Sequence, residues 1–200
     1  MEVFDTIYRE NLDRLKEANL LNRSKALDLQ IVSGKITISF FGRIHIISKH
    51  GVTDSNGIEP TPAVGTVILN YVLRNEAIVP PSHEKVSFRD FKNAGPLTMS
   101  FASNTNRLIA RTFSGRLRAL ISACKDLCGE PATDLIAADL FMEFPALPHI
   151  PVYLSFNDRD EDLPAQSNLL FDKSVEHYLD LKSIFVIGTF LAGSLINQDL

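Results

Sequence analysis

The chain of 200 residues is 45 % hydrophobic and 22 % charged, which is typical of a globular protein and excludes a disordered or collagen-like chain. Its net charge of −4 argues against general nucleic-acid binding, which requires a surplus of Lys and Arg. Without a secretory signal or an apolar run of about 20 residues, we expect a soluble cytoplasmic protein with no nucleic-acid or membrane partner.

The first part of the chain predicts a helix followed by an antiparallel β-meander. Apolar residues at helical spacing predict an amphipathic helix over residues 3–21. Three alternating runs with tight glycine turns then predict strands within residues 27–46. In the third run, the alternation places Ile44 and Ile46 on the apolar face and His45 on the polar face.

The middle of the chain predicts a loop over residues 51–61 and then a buried helix from Pro62 to about Asn75, with Thr61 as its N-cap. A short strand is expected over residues 86–88 and a short connector over residues 96–101.

The longest helical pattern covers residues 104–128, and Gly115 is the point at which this helix could split in two. Cys124 and Cys128 lie on its apolar face, which favours structural burial over use as metal ligands or redox groups.

The last part of the chain predicts alternating strands and helices. We expect strands over residues 134–144, 150–156 and 168–171, and helices over residues 174–181 and 183–196. With no internal repeat or linker, the sequence predicts a single α+β domain over residues 1–200, in which several helices pack on the meander and the further strands.

Several segments of the chain together resemble one known family. They are Phe156-Asn157-Asp158-Arg159-Asp160-Glu161-Asp162-Leu163-Pro164-Ala165, Leu170-Phe171-Asp172, Tyr178-Leu179, Val86-Ser87-Phe88-Arg89 and the stretch 148–154. They resemble, over roughly residues 62–196, an uncharacterised domain of anaerobic bacteria and archaea that is classed as a domain of unknown function.

Some members of that family carry an added iron–sulfur domain similar to that of the corrinoid iron–sulfur protein subunit. The resemblance therefore implies a role beside redox or one-carbon proteins. A four-iron cluster needs about four thiolates, whereas this chain has two cysteines. We therefore expect no cofactor and no metal site in this chain.

The acidic segment at residues 158–162 holds four carboxylates and one arginine. Asp158, Asp160 and Asp162 alternate as at the start of a calcium-binding loop, but the glycine and the final glutamate of that motif are missing. Together with Glu161, they are expected to form a solvated turn. A divalent-cation site and a surface for a basic partner, within this protein or another, are the alternatives.

Three arginines share one face of the predicted long helix: Arg107, Arg111 and Arg118. Guanidinium groups match phosphates and carboxylates, so this face could hold a small anionic ligand. A solvated face and pairing with the acidic segment are the alternatives. Asp172 is predicted to cap the helix over residues 174–181 and less readily to belong to a catalytic triad.

The sequence contains no catalytic motif, which favours a non-catalytic binding or accessory domain and leaves enzymatic activity undecided. The alternative is a hydrolase or transferase that acts on an anionic substrate at the arginine face. A homo-oligomer would instead require an exposed apolar face on residues 183–196.

Overall fold

The computed structural model describes residues 2–74, 77–132 and 137–197, and it confirms the predicted α+β class. The helices are α1 Glu2–Glu17, α2 Leu20–Ala26, α3 Pro62–Arg74, α4 Gly95–Asn104, α5 Asn106–Phe113, α6 Leu117–Asp126, α7 Val175–Tyr178 and α8 Leu181–Asn197. The strands are β1 Gln30–Val32, β2 Lys35–Phe40, β3 Arg43–Ser48, β4 Gly51–Asp54, β5 Lys85–Ser87, β6 Glu130–Pro131, β7 Leu140–Leu147, β8 Ile150–Asn157 and β9 Gln166–Asp172.

Two antiparallel sheets form the β structure. One is the meander β1-β2-β3-β4, and the other has the strand order β5-β9-β8-β7-β6. The backbone N–H of Phe41 donates to the carbonyl of Ala146 at 3.1 Å and joins the two sheets. Buried residues of both sheets and of the helices form one continuous hydrophobic core, within which α3 contacts α1 and α8.

The N-terminal helix is shorter than predicted. The side-chain oxygen of Asn19 accepts a hydrogen bond from the backbone N–H of Asn22 at 3.1 Å, so Asn19 caps a second helix. The pattern read over residues 3–21 therefore belongs to α1 and the start of α2, and β1 begins only at Gln30.

The meander has one strand more than predicted, because β4 occupies the start of the expected loop. Its hairpin between β2 and β3 turns through two residues, Phe41 and Gly42, which have φ of 47° and 77°. Phe40 therefore pairs with Arg43, and His45 pairs with Ile38.

This pairing reverses the predicted faces of β3. Paired residues share a face of the sheet, so His45 follows Phe40 and Ile38 into the interior. His45 is 6 % exposed, whereas Ile44 is 47 % exposed. The expectation that His45 lies on the polar face is wrong, because the two-residue turn sets the phase of the strand.

The helical region in the middle of the chain is divided into three helices. The expected connector over residues 96–101 is part of α4, since a proline in the first turn is compatible with a helix. Gly115 separates α5 from α6 with φ of 74°. The split that the sequence indicated at this glycine is confirmed.

Strands β8 and β9 are longer than predicted, and β7 and β8 each continue through a proline. Pro145 of β7 pairs with Pro151 of β8, so both missing N–H groups fall at one rung of the ladder. The strand expected over residues 134–144 begins at Leu140, and residues 134–136 of that prediction lie outside the described residues. The helix α3 is confirmed to Arg74, and the predicted end at Asn75 also lies outside them.

The C-terminal helices differ from expectation in length and exposure. Extended backbone at Leu179 ends α7, so it covers only part of residues 174–181. The helix α8 packs into the core with eight buried residues, so the exposed apolar face that a homo-oligomer would require is not found there. None of the helices in the described part of the chain is long and apolar enough to cross a membrane.

Candidate functional site

A pocket of about 500 Å³ lies where the β3–β4 hairpin meets the segment before α3 and one side of α8. We call it the His45 pocket. Its residues are Phe40, Arg43, Ile44, His45, Asp54, Ser55, Ile58, Glu59, Pro60, Thr61, Val64 and Phe190. Pockets of this size with a mostly apolar wall and a few polar groups are typical of small-molecule sites.

The hydrogen bonding of His45 leaves one ring nitrogen free. Its Nδ1 lies 3.0 Å from the backbone carbonyl oxygen of Arg43. Because a carbonyl oxygen only accepts, Nδ1 carries the proton and Nε2 carries a lone pair. Nε2 has no hydrogen-bond partner among the described residues. In that part of the chain, every fully buried side-chain nitrogen has a hydrogen-bond partner, so Nε2 is not fully buried. Nε2 is therefore open to solvent in the pocket.

The pKa of His45 favours the neutral ring. Burial is the largest influence and lowers this pKa below the usual 6.5. The hydrogen bond to the carbonyl of Arg43 and the charge of Asp54 act in the opposite direction and are outweighed. At neutral pH, His45 therefore presents an acceptor, and it can take a proton or a hydrogen bond from a bound molecule.

Asp54 lies opposite His45 on the neighbouring strand and holds the loop that follows β4. Its Oδ1 accepts the backbone N–H groups of Asn56 and Ile58, each at 2.8 Å. These hydrogen bonds, that from Ile58 first, lower the pKa of Asp54 below its usual 3.8. The loop therefore presents a fixed carboxylate beside His45.

Two aromatic rings form part of the wall of the pocket. The rings of Phe40 and Phe190 are 4.8 Å apart, and Phe40 also meets His45 edge to face. Asp54 and Glu59 contribute two carboxylates to the lining, against the single guanidinium of Arg43. The pocket can therefore enclose an apolar or aromatic group and attract a donor or a cation at its polar side.

Sequence reasoning missed every titratable residue of this pocket. The two-residue turn at Phe41-Gly42 could have revealed the phase of β3 and with it the burial of His45. Nothing in the sequence pattern could have brought Phe190 to the meander, since it lies on the last helix.

The acidic segment lies away from this pocket and is organised by its own backbone. The Oδ1 of Asp160 accepts the N–H groups of Asp162 and Leu163 at 2.9 and 2.7 Å. These hydrogen bonds, that of Leu163 first, lower the pKa of Asp160. The Oδ1 of Asp158 accepts the N–H of Gly115 at 2.6 Å, which attaches the segment to the α5–α6 turn.

The predicted arginine face is divided between two helices. Arg107 and Arg111 lie on α5 and Arg118 on α6, and all three are exposed. Within the described residues, none of them pairs with the acidic segment, which instead contacts the α5–α6 turn at Gly115. A role of these arginines in binding an anion stays a prediction.

Asp172 joins three segments at the end of β9. It is 3 % exposed and accepts hydrogen bonds from the N–H groups of Ser82, His83 and Ser174 and from the Ser82 hydroxyl, at 2.8–3.0 Å. Burial alone would raise the pKa of Asp172, but the hydrogen bonds from Ser174 and Ser82 outweigh it and lower the pKa to about 2. The prediction that Asp172 caps this helix is wrong, because β9 continues to Asp172 and the N-cap of α7 is Ser174. Asp172 instead holds the turn before α7 through the N–H of Ser174.

The two cysteines differ in their surroundings. Cys124 is buried as predicted, and burial raises the pKa of its thiol to about 12. Cys128 is exposed, because α6 ends at Asp126 and φ of Cys128 is 58°. The prediction of burial is therefore confirmed for the first cysteine and wrong for the second.

Comparison with known protein families identifies a matching family model. The model of a family described as a domain of unknown function (DUF3786) matches residues 19–194. The match begins well before residue 62, where the resemblance noted above was expected to begin, and it includes the meander and the His45 pocket. No curated protein and no solved structure matches the chain.

Proposed function

The chain belongs to the DUF3786 family, a domain of unknown function, and we propose that it is a non-catalytic binding domain whose ligand occupies the His45 pocket. The single observation that carries this proposal is the buried, neutral His45, with Nδ1 held by a carbonyl and Nε2 open to the pocket. An acceptor that opens into a pocket and that no described residue uses is suited to a hydrogen-bond donor on a ligand.

The charges of the lining favour an amine over an acid as this ligand. Asp54 and Glu59 outnumber Arg43, so a cationic group gains attraction where an anion meets net repulsion. The rings of Phe40 and Phe190 supply an apolar surface for the rest of the molecule and for cation–π contact. The proposed ligand is therefore a small amine with an apolar or aromatic body.

The alternative is a hydrolase or transferase that acts on an anionic substrate. His45 could serve as its general base, since a neutral imidazole can accept a proton near neutral pH. The two carboxylates of the lining oppose an anionic substrate in this pocket, which is why we favour binding without catalysis. An accessory role beside redox or one-carbon proteins, a prokaryotic origin and a cytoplasmic location stay predictions from the sequence and its resemblance.

The proposal is tested by protein-detected NMR titration with two probes that share a ring and differ in charge. Phenylethylamine is expected to shift the resonances of His45, Phe40 and Phe190, and phenylpropanoate is expected to leave them unchanged. An absence of shifts with the amine at millimolar concentration, or equal shifts with the acid, would overturn the proposal.

Two variants and a matched control locate the binding. His45→Phe removes the acceptor and Glu59→Gln removes one charge, and each is expected to weaken amine binding by at least about tenfold, or about 1.4 kcal/mol. Glu161→Gln removes one charge from the acidic segment and is expected to leave binding unchanged. An equal loss in all three variants would instead indicate a general effect of protein charge.

A further inference from the structure

A second pocket, of about 510 Å³, lies on the five-stranded sheet, where α4 and the start of α5 meet β8 and β9. We call it the Arg89 pocket, after a residue of the short 3₁₀ turn Phe88–Asp90. Its lining contains Arg89 and no carboxylate among the described residues. The charge of this lining is therefore opposite in sign to that of the His45 pocket.

Asn106 presents an amide donor whose orientation is fixed. Its Oδ1 accepts the backbone N–H of Leu169 at 3.0 Å, and its own backbone carbonyl accepts the Ser167 hydroxyl at 2.8 Å. These contacts tie Asn106 to the part of β9 that precedes its pairing with β5. Its Nδ2 donates to no other residue in the described part of the chain and is not sealed from solvent.

The neighbouring strands add two further polar groups. Ser155 of β8 and Asn168 of β9 are directly paired, and both line the pocket. Neither side chain forms a hydrogen bond with another residue that the structure describes. Together with Asn106 and Arg89, they present hydroxyl, amide and guanidinium donors around one cavity, a combination that suits an oxyanion.

The charge balance favours one negative charge on the ligand over two. Asp90 lies just outside the lining, with its Oδ1 3.7 Å from Nε of Arg89. This contact partly neutralises the guanidinium and would repel a dianion. The floor is apolar, since the rings of Phe88 and Phe101 stack at 4.1 Å and both are 2 % exposed.

We propose that the Arg89 pocket is a second binding site, which takes a small organic carboxylate with an apolar body. The carboxylate contacts Arg89 and the amide groups of Asn106 and Asn168, and the apolar body lies over Phe88 and Phe101. This site is separate from the His45 pocket and does not depend on the function proposed for it.

The proposal is tested by NMR titration with phenylpropanoate, its neutral amide and phenyl phosphate. Phenylpropanoate is expected to shift the side-chain amide resonances of Asn106 and Asn168 at millimolar concentration, and the neutral amide is expected to bind at least about tenfold more weakly. No shift with the carboxylate, or equal affinity for the neutral amide, would overturn the proposal. Tighter binding of phenyl phosphate would overturn the assignment to a singly charged ligand.

Variants distinguish this pocket from the arginine face of the helices. Arg89→Met removes the guanidinium, Asn168→Asp adds a like charge, and each is expected to weaken carboxylate binding by at least about tenfold. Both positions are exposed, so thermal unfolding is expected to stay close to that of the unchanged protein. The matched control is Arg111→Met on α5, which is expected to leave binding unchanged. If the control loses as much affinity as Arg89→Met, the anion binds at the helical arginines and the proposal is wrong.

Discussion

Asp172 and His45 are both buried polar side chains, 3 % and 6 % exposed, but they use their hydrogen-bonding capacity differently. Asp172 accepts four hydrogen bonds from Ser82, His83 and Ser174. His45 forms one hydrogen bond through Nδ1, and its Nε2 has no partner in the described part of the chain. One side chain is enclosed by internal donors, and the other keeps an open acceptor.

This difference separates a structural group from a binding group. The hydrogen bonds to the Asp172 carboxylate replace its hydration and outweigh the cost of its burial, so they stabilise the fold. The lone pair of His45 retains access to solvent, so it costs the fold little and remains available to a ligand. Burial and a shifted pKa are common to both residues, and the number of unused hydrogen-bonding sites distinguishes them.

The largest expected effect comes from removing the carboxylate of Asp172. Asp172→Ala leaves three backbone N–H groups without their acceptor and frees the segment at Ser82 and His83. We expect the free energy of unfolding to fall by about 3 kcal/mol. Urea unfolding followed by circular dichroism measures this change.

Asp172→Asn provides the control for this measurement, because an amide keeps one acceptor oxygen and loses the charge. It is expected to lose less stability than Asp172→Ala. A loss below about 0.5 kcal/mol in Asp172→Ala would contradict the structural role assigned to this carboxylate.

The second effect is the pH dependence that Asp172 gives to folding. Its pKa is about 2 in the native protein against 3.8 for the ordinary side chain. The unfolded chain therefore binds the proton more readily, and the stabilisation present above pH 3.8 is lost as the pH falls towards 2. The difference corresponds to about 2 kcal/mol.

Unfolding measured at pH 5 and pH 2.5 checks this expectation by comparison of the unchanged protein with Asp172→Asn. The variant is expected to lack this part of the acid dependence. Parallel pH profiles for the two proteins would show that Asp172 titrates normally in the native state.

The α+β class and most elements were predictable because their signals are local. The Thr61-Pro62 start and the apolar run behind it define α3 within a few residues, and Gly115 marks a helix break that needs positive φ. Asp172 was predicted as the cap of the helix over residues 174–181, but the N-cap of α7 is Ser174, and Asp172 accepts the N–H of Ser174 from the end of β9. Its partners Ser82 and His83, which lie 90 and 89 residues away in the chain, carry no pattern that points to it.

The pockets were not predictable from the sequence. They depend on which face of a strand is buried and on contacts between elements that are far apart in the chain. The alternation in β3 was visible, but its buried face follows from the length of the Phe41-Gly42 turn. Phe190 reaches the His45 pocket only because α8 packs beside the meander. The orientation of Asn106 in its pocket depends on the hydrogen bond from the N–H of Leu169 to its Oδ1, a contact that the sequence does not indicate.

The third effect on stability is smaller and concerns His45→Phe. Unlike the Asp172 variants, this variant is expected to affect ligand binding more than folding. At pH 7.5 the free energy of unfolding should change by no more than about 1 kcal/mol, because the ring fills a similar volume and one hydrogen bond is lost. Amine binding is expected to weaken by at least about tenfold in the same variant. A large loss of stability would show that His45, like Asp172, has a structural role.

The pH profile of this variant gives an independent measure. The native pKa of His45 lies below the ordinary 6.5, so the unfolded chain binds the proton more readily. The free energy of unfolding of the unchanged protein should therefore fall as the pH drops through 6.5 towards the native pKa. His45→Phe removes this component, and denaturant unfolding between pH 5 and pH 8 measures it.

The smallest effect is expected at the two carboxylates of the acidic segment that have no hydrogen-bond partner among the described residues. Glu161 and Asp162 are exposed, and their carboxylates accept no hydrogen bond from another described residue. Glu161→Gln and Asp162→Asn should each change the free energy of unfolding by less than about 0.5 kcal/mol. Asp158→Ala should cost more, about 1 kcal/mol, because the N–H of Gly115 loses its acceptor. Equal effects at all three positions would mean that the contact with Gly115 does not hold the segment, and that its carboxylates stabilise the fold only through their charge.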